Sequence, residues 1–243
     1  SQKYEFNKSF EMRQAIDMYK AQGMKIFESD CQVIFKSLAK YYMGDATPDL
    51  HKVFFDIETD FDKKLGFAPP EDPFNRITAI SVYQSWEDQA YVLVLSPDDM
   101  NVYDAQDIIN NVQNEHSEDK IILFTDEKDM INFFFELIED ADVLSGWNSE
   151  FFDIPYMVNR VRRIFSEGMT TRFCLWGKKP TPREVDNYGK TMVTYDLSGK
   201  VHLDYLALYK KHASQVKQSY KLDDVGFEGV QENKISYEGS LDN

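Results

Sequence analysis

Two acids, Asp56 and Glu58, stand two residues apart in Lys52-Val53-Phe54-Phe55-Asp56-Ile57-Glu58, a run that reads as a β-strand. Strand alternation puts both carboxylates on one face, with Cα atoms about 6.6 Å apart. Acids disfavour strands, and two side by side repel unless a cation offsets them. Mg²⁺ or Mn²⁺ suits carboxylate oxygens. The plainer alternative is a strand end whose acids simply face water. A third acid, Asp153, lies in Gly146-Trp147-Asn148-Ser149-Glu150-Phe151-Phe152-Asp153-Ile154-Pro155-Tyr156, between a predicted strand and a predicted helix. An Asp before Ile-Pro is also a good helix cap, which needs no function. If the sheet topology brings this junction to the first strand, three carboxylates surround one cavity. Such a cavity suits phosphodiester hydrolysis by two metal ions about 3.5–4 Å apart, one generating hydroxide and the other stabilising the leaving oxygen.

The elements that must position these acids follow from periodicity. Met12, Ile16 and Tyr19 recur at helical spacing behind Ser9, a candidate cap, and Gly23 is a stop signal. Val33, Ile34, Leu38 and Tyr41 mark a second helix within residues 30–43, which runs into the linker Gly44-Asp45-Ala46-Thr47-Pro48-Asp49. After the Asp56 strand come a Gly/Pro loop over 61–75 and strands over 76–83 and 90–95, joined by a turn at 85–88. Residues 98–119 hold seven acids and no Lys or Arg, and read as a solvated insertion with a helical turn or two. A strand over 120–124 precedes a helical stripe of Met130, Phe133, Phe134, Leu137 and Ile138. A strand over 141–145 and a helix over 154–165, with Met157, Val161 and Ile164 on its apolar face, follow. Residues 183–196 read as a hairpin turning at Asn187-Tyr188-Gly189-Lys190, and 202–211 and 219–227 as helical pieces. Three strands, then helix, strand and helix, predict an α/β layer with a mixed sheet.

The chain has 243 residues, 42% hydrophobic and 14% aromatic, enough for a real core and against intrinsic disorder. No run approaches the ~18 apolar residues of a membrane span, which predicts a soluble protein with no membrane partner. The opening Ser1-Gln2-Lys3-Tyr4-Glu5 lacks the apolar core of a signal peptide. Cys31 and Cys174 are too few and too far apart for a disulfide framework or a cysteine zinc site, so a reducing cytosol fits better. A net charge of −15 counts against a simple nucleic-acid-coating protein. Residues 160–217 nevertheless carry 12 Lys+Arg against 5 Asp+Glu. That excess can track a phosphate backbone, or can be an ordinary solvated face.

Val53-Phe54-Phe55-Asp56-Ile57-Glu58 resembles the first exonuclease motif of family B DNA polymerases, Asp-x-Glu on the first strand. Gly146-Trp147-Asn148, on through Phe152-Asp153-Ile154-Pro155-Tyr156 to Asn159-Arg160, resembles the second, and this longer form is highly specific. Leu203-Asp204-Tyr205-Leu206-Ala207-Leu208-Tyr209-Lys210-Lys211, Ser219-Tyr220-Lys221-Leu222-Asp223 and residues 234–239 are similar to the pattern in T-even-type bacteriophages. On these residues 51–243 looks like a proofreading 3′→5′ exonuclease domain, and 1–50 like a remnant of the polymerase's amino-terminal domain.

The resemblance implies a ribonuclease-H-like α/β fold: a mixed β-sheet flanked by helices, with a β-hairpin insertion and a small amino-terminal helical remnant. It implies Asp56, Glu58 and Asp153 as catalytic metal ligands for two Mg²⁺ or Mn²⁺ ions. Trp147, Asn148 and residues 151–156, Phe152 among them, would hold a single-stranded 3′ end by stacking that ignores sequence; a Trp in this place is as readily a core residue. The 183–196 hairpin resembles the family's strand-separating hairpin, with Tyr188, Gly189 and Lys190 at its tip. Its alternative is a plain sheet extension. Lys210 and Lys211 would meet phosphates, or as helix-end lysines would be solvated. Implied partners are the single-stranded DNA 3′ end, the primer–template, the remaining polymerase domains and, through regions outside this chain, the sliding clamp and replisome proteins. The implied location is the cytoplasm of an infected bacterial host.

Family members complete the site with a third motif, Tyr-x-x-x-Asp on a helix, beyond the segment that resembles residues 234–243. Tyr220-x-x-x-Asp224 has that spacing but belongs to the Ser-Tyr-x-Leu-Asp stretch, and Gly226 weakens a helix there. The expectation is a fragment, weak or inactive by itself. Two readings remain: an exonuclease domain, or a catalytically dead ribonuclease-H-like module that binds nucleic acid or a replication partner.

Overall fold

A computed structural model describes residues 3–27, 29, 33–187, 189–213, 217 and 219–231. Two compact units divide the chain, Ser1–Asp49 and Leu50–Asn243.

The first unit holds α1 (Ser9–Ala21) and α2 (Val33–Tyr41). Ser9 does not cap α1: Lys8 takes the cap position, with no side-chain cap bond. At the other end Gly23 N–H donates to Lys20 O and Met24 N–H to Tyr19 O, the paired bonds that close a helix at a glycine. No residue of α1 is buried, and Phe10, Ile34, Phe35 and Leu38 stand exposed.

The second unit is built on β1 (Lys52–Thr59), whose alternation is strict: Val53, Phe55 and Ile57 are buried, and Lys52, Phe54, Asp56 and Glu58 are exposed. It pairs antiparallel with β2 (Ile77–Gln84), which pairs antiparallel with β3 (Gln89–Leu95). The sheet grows by parallel strands at both ends, β4 (Lys120–Phe124) beside β3, and β5 (Val143–Gly146) then β8 (Val201–Asp204) beyond β1. The order β4-β3-β2-β1-β5-β8 is the mixed α/β sheet of a ribonuclease-H-like fold. The apolar stripes of α4 (Glu127–Leu137) and α5 (Asp153–Ile164) fill the core against Val53, Phe55 and Ile57, with Phe55 and Phe134 ring centroids 5.6 Å apart.

Helix α5 is not held by packing alone. Arg160 Nε and Nη2 donate to both oxygens of the buried Glu127, at 2.9 and 2.6 Å, and Nη1 donates to Pro73 O. Tyr156 Oη donates to Asn75 O, and Asn159 Nδ2 to Pro70 O. The Tyr, Asn and Arg of the long motif thus strap α5 to the 61–75 loop.

Two expectations need correction. Residues 98–119 contain a full helix, α3 (Val102–Glu115), capped by Asn101, whose side chain accepts Tyr103 N–H. Its few apolar residues and unrelieved acids hid it; packing against β4 holds it in place. Residues 202–204 are not helical but form the edge strand β8, and α6 begins only at Tyr205 (Tyr205–His212). The second helical piece forms as α7 (Leu222–Val230), which starts three residues later than the 219–227 reading and runs through Gly226.

The hairpin forms as read, from β6 (Thr181–Asn187) and β7 (Lys190–Asp196), with Asn187 paired to Lys190. It is a separate two-stranded sheet, not an extension of the main one. Gly189 takes φ 82, which a two-residue hairpin loop requires, and its N–H donates to Asp186 Oδ1. Tyr188 lies outside the described residues, as do Cys31 and residues 232–243. No described helix is long and apolar enough to cross a membrane.

Candidate active site

Strand β5 pairs with β1 only from Lys52 to Phe54. Beyond that point the Ile57 N–H donates to Oδ1 of Asp153, at 3.1 Å. A carboxylate from the start of α5 therefore takes a place along β1 that β5 has left. Asp153 does not cap its helix: Phe152 occupies the cap position, with no side-chain cap bond.

The β5-to-α5 turn is tight enough to force this. A Cβ on Gly146 would lie 2.6 Å from Phe55 O and 2.9 Å from Ser149 Cβ, so only glycine lets the chain leave β5 so close to β1. Asn148 follows in the left-handed region, φ 63, which Asn tolerates better than most residues. Its carbonyl accepts the N–H groups of Phe151 and Phe152, and Ser149 O accepts that of Ile154.

Asp153 is only 2% exposed. Burial, then the negative charge of Asp56, push its carboxyl up to about 7; the Ile57 N–H pulls it down, and Asp204 adds a smaller upward push. Asp56 and Glu58 share the exposed face of β1, as alternation predicts. Among the described residues, no group of three His, Cys, Asp or Glu side chains stands at metal-ligating spacing. The chemistry of the donors nevertheless fits a hard divalent cation, because Asp153 is buried within the field of Asp56 and a positive ion offsets that repulsion.

The residues expected to meet DNA fall into different settings. Trp147 is half-buried: its Nε1–H donates to Tyr220 O, and its ring lies 6.1 and 5.9 Å from those of Tyr205 and Tyr209. Phe152 packs on the core beside Tyr156. Ile154 and Tyr156 are fully buried, so within 151–156 only Phe151 and Phe152 keep appreciable surface. Burial raises the Tyr156 hydroxyl to about 12, consistent with a structural strap. Gly189 and Lys190 are exposed at the hairpin tip, and Lys210 and Lys211 in the last turn of α6, where Lys210 Nζ sits 5.0 Å from the Tyr220 ring centroid.

Several residues here escaped the sequence reading. Asp204, at the end of β8, accepts backbone N–H groups from both the 146–153 turn and α6. Its signal was an Asp before a helical run, hidden by starting that helix at 202. Ser149 Oγ is hydrogen-bonded to His202 Nε2 at 2.9 Å, and burial lowers the His202 imidazole below its ordinary value. Glu150 pairs with Arg183, which also reaches Asp196, while Thr194 Oγ1 donates to Glu150 O. The hairpin base is thereby fixed to the turn that carries Asp153, around a cleft of ≈ 190 Å³ lined by Glu150, Arg183, Asp196, Lys200, His202 and Asp204.

The basic stretch 160–217 is less available than its count implied. Arg160 is buried on Glu127, Arg162 pairs with Glu167, Arg163 with Asp72, Arg183 with Glu150 and Lys217 with Glu228. Lys200 is buried, donating to Ile138 O and Glu139 O at the end of α4.

Residues 1–225 match the family model described as DNA polymerase family B, exonuclease domain. The chain is 31% identical over 200 residues to the DNA-directed DNA polymerase of Enterobacteria phage T4, covering 76% of this chain and 22% of that protein. It is 30% identical over 200 residues to the DNA-directed DNA polymerase of Escherichia phage RB69, covering 77% and 22%. The DNA polymerase of Bombyx mori nuclear polyhedrosis virus is 27% identical over 125 residues, covering 49% and 12%. The chain spans about a fifth of the length of the two phage relatives.

Proposed function

The chain belongs to the exonuclease-domain family of family B DNA polymerases, and from that premise we propose that it is the 3′→5′ proofreading exonuclease of a phage-type replicative polymerase. The observation that carries the reading is Asp153, a buried carboxylate turned away from its own helix and set on β1 within the field of Asp56.

In this reading Asp56, Glu58 and Asp153 are the catalytic carboxylates and hold Mg²⁺ or Mn²⁺, two ions in the complete site. The metal, when bound, supplies a nucleophile at neutral pH and stabilises charge on the leaving oxygen. The chain's own residues do the rest. The β5-to-α5 turn fixes Asp153, and the half-exposed faces of Phe152 and Trp147, with Asn148 between, receive the unpaired 3′ end. Stacking there is indifferent to base identity, as a proofreader requires. The hairpin tip, with Gly189 and Lys190, separates the strands, aided by Tyr188, which lies outside the described residues, and Lys210 and Lys211 meet phosphates. Residues 1–50 belong to the polymerase's amino-terminal domain. The partners are the primer–template and the remaining polymerase domains, with the clamp and replisome contacted elsewhere, in the cytoplasm of the infected host.

One observation favours a catalytically dead binding module instead: no three acids among the described residues stand at ligating spacing. Degradation of a 3′-labelled single-stranded oligonucleotide with Mg²⁺ or Mn²⁺ separates the two, run on this chain beside the full-length polymerase. The exonuclease reading expects shortening, cut by about 10²–10³-fold in Asp56→Ala and Asp153→Asn, with single-strand binding held within a few-fold. Protection of the 3′ end without shortening in both wild-type proteins gives the dead module. Joint loss of binding and hydrolysis in Asp56→Ala makes Asp56 structural.

A further inference from the structure

We propose that Asp204 is the positioning residue for Asp153, holding the 146–153 turn so that the Asp153 carboxylate meets β1. The exonuclease reading enters only in what Asp153 does once placed. Asp204 is the last residue of β8 and the N-cap of α6, and it is 7% exposed. Its Oδ1 accepts the N–H groups of Leu206 and Ala207, at 2.8 and 3.2 Å, which is all that a helix cap requires. Here Oδ1 also accepts the Asn148 N–H at 3.2 Å, and Oδ2 accepts the Glu150 N–H at 3.0 Å, from residues 56 and 54 positions away. One carboxylate thus receives four backbone donors and ties the turn to α6.

The turn transmits that tie. From Asn148 to Ile154 it is closed on itself by the bonds to Asn148 O and Ser149 O, and Gly146 presses it on Phe55 O. The Ser149–His202 bond pins it to β8 a second time. With the turn held from both sides, Asp153 arrives at the Ile57 N–H. Strand β8 pairs with β5 and not with β1, so no ladder joins Asp204 to Ile57 directly; apart from the turn, Asp204 acts on Asp153 through its charge, which both substitutions below remove equally.

Two substitutions separate capping from positioning. Asp204→Ser keeps one oxygen for the α6 cap but is too short to reach the turn. Asp204→Asn keeps the three bonds at Oδ1 and turns an amide N–H towards the Glu150 N–H. Hydrogen exchange by NMR on the metal-free chain is the readout. The Ile57 amide should exchange roughly tenfold faster or more in Asp204→Ser and less so in Asp204→Asn, with the β2–β3 ladder amides unchanged. Faster exchange at Asn148 and Glu150 with Ile57 unchanged in both variants overturns the proposal, and leaves Asp204 a local staple. So does equal acceleration of Ile57 and the β2–β3 ladder, which is loss of stability alone. If Ile57 responds as expected while the wild-type polymerase shortens no oligonucleotide, positioning stands and the exonuclease reading falls.

Discussion

Asp153 carries a pH signature of its own. Its folded-state pKa of about 7 lies above the ordinary 3.8, so the folded protein holds this proton more tightly than the unfolded chain does. Stability from this group is fully present below 3.8, is lost as pH rises towards 7, and stays lost above it. The full difference is about 4 kcal/mol as an order of magnitude. In EDTA, the stability gain of Asp153→Asn over wild type should therefore widen between pH 5 and pH 8, measured by urea unfolding. A gap independent of pH would show that Asp153 is not the strained acid. Divalent metal should narrow the gap at pH 8 by binding the wild-type carboxylates.

The β5-to-α5 turn is the element that brings Asp153 to β1 within the field of Asp56. Its geometry depends on Gly146, because a methyl there meets a backbone oxygen and a Cβ, neither of which can swing away. Gly146→Ala should destabilise the second unit by about 1–3 kcal/mol in urea unfolding, the usual cost of overpacking. It should also reduce oligonucleotide shortening by more than a stability loss of that size explains, since the enzyme remains folded at 25 °C. Unchanged unfolding would mean that β5 and β1 have slack between them. The same turn holds the hairpin through Glu150 and Arg183, so the element that presents Lys190 and the element that presents Asp153 share one anchor.

Across the whole molecule a net charge of −15 sets how tightly DNA can be held. Much of the basic excess in 160–217 is already paired within the chain, with Glu127 in the interior and with Glu167, Asp72, Glu150 and Glu228 at the surface. If Lys190, Lys210 and Lys211 each meet one phosphate, log affinity for single-stranded DNA should fall with log salt at a slope of about −2. Each Lys→Ala change should then reduce that slope by about 0.7, as read by fluorescence anisotropy. A slope unmoved by all three would remove these lysines from the DNA path.

Much of the site was legible in one dimension. Alternation alone places Asp56 and Glu58 on one face of β1, because successive side chains in a strand must oppose each other. Most strand, helix and hairpin positions followed from local periodicity, though α3 and β8 did not, and the motif residues Tyr156, Asn159 and Arg160 strap α5 in place. What stayed hidden were relations between distant segments. No local rule distinguishes an Asp that caps its helix from one that crosses to Ile57, 96 residues away. That Asp204 serves two elements, and that arginines of a basic stretch are paired with acids from distant segments, was likewise decided only by folding. Backbone donors and charges take whichever partner the tertiary structure brings within reach, and burial then makes that choice costly to undo.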